Sequence, residues 1–185
     1  MFVQIEETPN PATLKFLPGQ SVMEDTTAYF ADPEAASRSP LAARLFEVPG
    51  VTEVFFGADF ITVAKSPDRE WELLKPAILG VVTEHFAASR PIMHDPSSQQ
   101  AASPDDEEED EVVSQIKELL DQRVRPAVAM DGGDIVFRGF DKGVVYLHMQ
   151  GACAGCPSST ATLKMGIENM LRHYIPEVVE VRAVV

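Results

Sequence analysis

The stretch DIVFRGFDKGVVYLHMQGACAGCP, residues 134–157, decides how the second half of the chain folds. DIVFRGF and VVYLHM have the β-branched and aromatic content of strands, and Asp141-Lys142-Gly143 between them is a strong hairpin signal. A glycine-rich loop follows at once. It carries Cys153 and Cys156, the only two cysteines among 185 residues, with Pro157 straight after the second. Beyond the loop, Leu163, Ile167, Met170 and Tyr174 recur at gaps of four, three and four, the period of a helix face, until Pro176. VVEVRA then alternates as a final strand. Upstream, Val113, Ile116, Leu120 and Val124 mark a helix that breaks near Pro126, where PAVAM restarts as a short turn ending at Gly132-Gly133. The order is αββαβ, with the cysteines between its second strand and second helix.

The first half reads as a separate unit. FVQIEE and TLKF alternate as paired strands around the turn TPNPA. SPLAARLF has short helical spacing before Pro49-Gly50, and VTEVFF and FITVAK flank Gly57-Ala58-Asp59 as a hairpin. Ser66-Pro67 fits an N-cap and first helical turn, with Trp71, Leu74, Ile78, Val82 and His85 or Phe86 following. The order is ββαββα, and Trp71, Phe55 and Phe56 are expected in its core. Between the halves, RPIMHDPSSQQAASPDDEEEDE ends in seven consecutive acidic residues, Asp105 to Glu111. Residues 1–90, 91–111 and 112–185 carry −6, −8 and 0 of the net charge of −14, so most of the acidity is tether. Like charges extend a chain, and such a run cannot bury a core. The expectation is an α+β chain of two small α/β domains, 1–89 and 112–185, joined by an acidic flexible linker, 90–111. No internal repeat relates the two.

Composition excludes several function classes. Binding a phosphate backbone needs clustered Lys and Arg, and the sequence has no basic stripe, so nucleic acid is not an expected partner. Two cysteines cannot make a disulfide framework, which points to a reducing interior. MFVQIEETPNPATLKF has acidic Glu6 and Glu7, no apolar signal core and no Arg- and Ser-rich transit character. The chain is therefore expected to start at its first structural element and to be cytoplasmic, or to lie in the mitochondrial matrix if a transit segment has been removed. The longest uncharged run, Gly143 to Leu163, contains Gly, Ser, Thr, Gln, His and Pro that are costly in hydrocarbon, so no membrane partner is expected.

The cysteine pair carries the chemistry. Thiolates are soft ligands, and two of them two residues apart grip one metal centre from a tight turn. Gly151, Ala152, Ala154 and Gly155 leave room for an inorganic core or a second copy of the loop. Cys156 lies at the start of the helix, beside Pro157, Ser158 and Ser159, where the positive helix end favours a thiolate. Iron–sulfur clusters and structural zinc commonly take four protein ligands, and a symmetric dimer of this chain supplies four thiols. Histidine is the other supply, but His85, His94 and His173 read as core or surface, and only His148, in the strand before the loop, is near in sequence. Asp131-Gly132-Gly133-Asp134 reads as a turn, with positive φ from the glycines and aspartate caps. Met130, Met149, Met165 and Met170 read as core filler. A thiol–disulfide oxidoreductase and a zinc-bridged dimeric interaction module remain open on the residues alone.

RPAVAMDGGDIVFRGFDKGVVYLHMQGACAGCPSSTATLKMGIENMLRHYIPEVVEV, residues 125–181, resembles the C-terminal domain of NifU-like (Nfu) iron–sulfur cluster proteins in its DGGD turn, GACAGCP loop and TLKMGIE helix. FVQIEETPNPATLKFLPG, residues 2–19, resembles the N-terminal domain of the longer Nfu proteins. The resemblance implies a non-enzymatic scaffold or carrier in which Cys153 and Cys156 of two protomers hold one 4Fe-4S cluster, with 2Fe-2S as the alternative. It further implies a cluster-dependent homodimer, supplied by upstream assembly machinery, that passes the cluster to apo iron–sulfur proteins. The N-terminal domain would help to recognise those acceptors.

Overall fold

A computed structural model describes residues 2–24, 26–94, 111–154 and 157–184. The chain divides between residues 101 and 102 into two compact units. The segment read as an acidic linker lies, for residues 95–110, outside the described residues.

The first unit is a five-stranded antiparallel sheet in the order β1-β2-β5-β4-β3, with helices on one face. Its elements are β1 (Gln4–Glu7), β2 (Thr13–Leu17), β3 (Ala28–Phe30), α1 (Pro33–Ala36), α2 (Pro40–Phe46), β4 (Val51–Phe56), β5 (Ile61–Lys65) and α3 (Trp71–Ala87). The turn before β2 closes on Asn10, whose side-chain oxygen accepts the Ala12 N–H at 3.0 Å. Leu14, Phe16, Val54, Phe56, Ile61 and Val63 point from the sheet into a core closed by Leu41, Leu45, Leu74, Ile78 and Val82. Phe55 and Phe56 are both buried, and Trp71 packs half-buried on the core edge while its indole N–H donates to the Pro11 carbonyl.

Two details depart from the sequence reading. β3 and α1 are additions to ββαββα, because three residues of strand and four of helix are too short to show a period. Helix α3 begins at Trp71 and not at Ser66-Pro67. The Ser66 hydroxyl is engaged by the Asp68 carboxylate, and the Arg69 N–H closes a turn on the Ser66 carbonyl, so Ser66 is not available to cap α3.

The second unit comprises α4 (Glu111–Leu119), one π-helical turn (Leu120–Val124), α5 (Arg125–Met130), β6 (Gly133–Asp141), β7 (Val144–Gly151), α6 (Pro157–Tyr174) and β8 (Glu180–Val184). The expected break near Pro126 is the π turn. Proline lacks an N–H and its ring crowds the carbonyl four residues back, and here the Arg125 N–H reaches the Leu120 carbonyl, five back. Ile116, Leu120, Val124 and Val128 stay buried along one line. The β6–β7 hairpin turns on Lys142 (φ 49°) and Gly143 (φ 82°), the two positive angles of a type I′ turn. β8 lies parallel to β7, which requires a crossover, and α6 supplies it. The outer edge of β8 is closed in part by α6, as the Glu168 carboxylate accepts the Val181 N–H at 3.2 Å. Ile135, Val145, Leu147 and Val181 meet Ile167, Leu171 and Ile175 in the core. No helix among the described residues is long and apolar enough to cross a membrane.

Candidate metal centre

The cysteine loop begins where β7 ends, with Gly151 in the left-handed region (φ 65°) and opposite Gly133 of β6. Three hydrogen bonds then fold it back. The Ala152 N–H donates to the Gly132 carbonyl at 3.2 Å, and the Ala154 N–H to the Gly151 carbonyl at 3.1 Å. From α6, the Thr160 hydroxyl donates to the Cys153 carbonyl at 3.0 Å. Cys153 is thereby tied to the turn before β6, the end of β7 and the first turn of α6.

The seat for its side chain is steric. A Cβ on Gly133 would lie 2.6 Å from the Cys153 sulfur, 2.8 Å from the Gln150 carbonyl oxygen and 3.0 Å from the Cys153 nitrogen. Only glycine fits there. This changes the reading of the DGGD turn, because Gly132 has positive φ (83°) whereas Gly133 is needed for the space its missing side chain leaves. Asp134 is also more than a cap. Its buried carboxylate is gripped by the Arg125 guanidinium through two bonds of 2.9 Å and accepts the Ile135 N–H at 2.8 Å.

Cys153 is a free thiol and only 6% exposed, so the open loop that its small residues implied is at this position a buried one. Burial, reinforced by the nearby Asp131 and Asp134 carboxylates, pushes the thiol from 9.0 up to about 12. The protonated form is thus favoured in the folded chain. Stability from this group is complete below the unfolded value and is lost as pH climbs from about 9 towards 12, where only the unfolded chain ionises freely. In a Cys156→Ser chain, where Cys153 is the sole thiol, alkylation at pH 8 should run far slower than after denaturation. Equal rates in the two states would contradict the buried seat. Any metal bound through this sulfur would first have to displace that proton.

Cys156 lies outside the described residues, as does Gly155. α6 does begin at Pro157, the residue after it. His148 is not brought to the site: it stands between Val136 and Val184 in the sheet, whereas Leu147 and Met149, its neighbours along β7, join Cys153 in the core. His173 stacks edge-on against Tyr174, and the His94 backbone N–H donates to the Arg38 carbonyl. His85 is fully buried in the first unit, and burial holds it below its ordinary value. No group of three or more His, Cys, Asp and Glu side chains among the described residues is placed to hold a metal ion. The methionines divide: Met149 is buried and Met170 half-buried, but Met130 and Met165 are exposed, which overturns core filler for those two. Sequence reading also missed Arg125 and Thr160. A basic residue nine positions before Asp134, and a hydroxyl in the helix's first turn, were the only signals.

The second unit is thus an α+β layer whose hairpin ends on a seated thiol, with a helix starting four residues further on. Residues 3–90 match the family described as scaffold protein Nfu/NifU N terminal, and residues 116–182 match the NifU-like domain. The NFU1 iron-sulfur cluster scaffold homolog, mitochondrial, of Homo sapiens is 51% identical over 181 residues, 96% of this chain and 70% of that protein. The protein of the same description from Drosophila erecta is 51% identical over 185 residues, all of this chain and 65% of its own length. A solved NifU-like protein from Saccharomyces cerevisiae is similar with a TM-score of 0.47 at 25% identity, covering 51% of this chain and 86% of that one. The chain belongs to the Nfu family of NifU-like scaffold proteins. It spans about 65% of the length of the fly relatives it matches.

Proposed function

We propose that this chain is an iron–sulfur cluster scaffold and carrier, with no catalytic activity of its own, in which Cys153 and Cys156 of two protomers hold one cluster between them. The cluster is 4Fe-4S, with 2Fe-2S the smaller alternative on the same four thiols. Upstream assembly machinery supplies it and apo iron–sulfur proteins receive it, while the first unit helps to select them. The observation that carries the reading is the built seat of Cys153, where turn, strand end and helix all converge on one sulfur beside a glycine. The names of the relatives support the cargo, and their mitochondrial label supports the matrix over the cytoplasm.

Burial weighs against the oxidoreductase reading. In a Cys-x-x-Cys redox pair the first thiol is normally the exposed, easily ionised nucleophile, and here the first thiol is buried. A shared zinc site uses the same four thiolates and is separated by colour. Anaerobic incubation with iron and sulfide should give a brown protein with broad visible absorption. A colourless product containing zinc or a disulfide would overturn the proposal.

A further inference from the structure

We propose that Arg125 and Asp134 form a positioning pair for the cluster site: their half-buried ion pair clamps the turn on which Cys153 rests and so sets how firmly the site is held closed. The inference rests on the cluster-binding reading for its purpose, but its geometry stands on its own.

Arg125 is the first residue of α5 and Asp134 the second of β6, so the pair brackets the rest of α5, the turn at residues 131–132 and the first residue of β6. The last two residues of that bracketed segment make the contacts to the cysteine loop, Gly132 through its carbonyl and Gly133 through its bare Cα. The bond is two-pronged, Nε to one carboxylate oxygen and Nη2 to the other, each at 2.9 Å. Nη1 reaches back to Asp121 in the π turn at 3.1 Å, so one guanidinium ties the helical segment to the strand. The Asp134 side chain is 5% exposed and Arg125's 40%, so the carboxylate is the buried member. A carboxylate in that position is retained only with its cation in place, and lysine cannot reproduce the fork. Residues that orient a metal ligand without touching the metal commonly change affinity or hold time by roughly ten- to a hundredfold.

The test uses the sign of the effect. In a full-length Cys156→Ser chain, alkylation of Cys153 by iodoacetamide proceeds through local opening of its seat. Arg125→Gln removes both prongs of the bond to Asp134, and if the pair has no part in holding the seat, alkylation is unchanged. A lost clamp makes it faster. We expect an increase of about tenfold at a temperature where circular dichroism shows the fold retained, with Arg125→Lys between the two. An unchanged or lower rate overturns the proposal. If the Gln variant does not fold, Arg125→Lys decides alone, a faster rate supporting the clamp and an equal one refuting it. With both cysteines present, the reconstituted Arg125→Gln chain should lose iron to a chelator about tenfold faster than the parent. Should the parent take up no cluster, the functional reading falls, while the alkylation comparison still decides the role of the pair.

Discussion

Changing Cys153 to Ser should give a folded chain that takes up no stable cluster. The exchange is nearly isosteric, and a hydroxyl in this seat costs the fold only about 1–3 kcal/mol if it finds no partner. Ligation is another matter. Iron in a sulfide core prefers soft thiolate, and a serine hydroxyl ionises so reluctantly that it offers no comparable ligand at neutral pH. If, as proposed, two protomers contribute equally, one substitution removes two of the four ligands. Bound iron after anaerobic reconstitution should fall to below about a tenth of the parent's, with far-ultraviolet circular dichroism unchanged. Cys156→Ser should behave alike. Full iron in both single variants would mean that the ligands lie elsewhere.

The second large effect concerns a residue that binds nothing. A methyl group on Gly133 meets the Cys153 sulfur at 2.6 Å, and two of its three nearest atoms belong to the backbone of Gln150 and Cys153. Backbone on a hydrogen-bonded hairpin cannot give way locally, so the cysteine loop must move as a whole. Gly133→Ala is expected to cost the second unit about 1–3 kcal/mol, the usual range for overpacking, and to abolish loading even where the fold survives. Gly139→Ala is the control in the same strand, since a Cβ there meets nothing within 4 Å. It should melt and load like the parent. Iron content and thermal midpoint of the two variants, read together, separate a site defect from general weakening of β6. Equal loading by both would show that the seat is not rigid.

Much of the architecture was legible because it rests on short-range rules. Asp141-Lys142-Gly143 places two positive φ angles where a hairpin needs them, and the apolar period holds for Leu163, Ile167 and Met170, whereas Tyr174 is exposed and Leu171 takes the buried place. The boundary of α3 was misread for a local reason, since a Ser-Pro pair looks like a cap whether its hydroxyl faces a helix or, as here, a neighbouring carboxylate. β3 left no signal because a three-residue strand has no period to show. At the candidate site, the motif pointed to Cys153, but spacing alone does not report depth. Glycine and alanine around Cys153 suggested openness, whereas in the folded unit they allow β6 and β7 to close upon it. Arg125 was invisible for a similar reason. Its partner is fixed by the path of a loop, and no periodicity relates residues 125 and 134.

The central claim is that two chains share one cluster, so ligation and dimerisation are one event. The decisive measurement is light scattering combined with iron and sulfide quantification on the full chain, before reconstitution, after it, and again after chelation. The account predicts a monomeric or weakly associated apo form, a dimer carrying one cluster per two chains when loaded, and return to the apo state as the chelator removes iron. A monomer that holds a complete cluster with no added small thiol would contradict it.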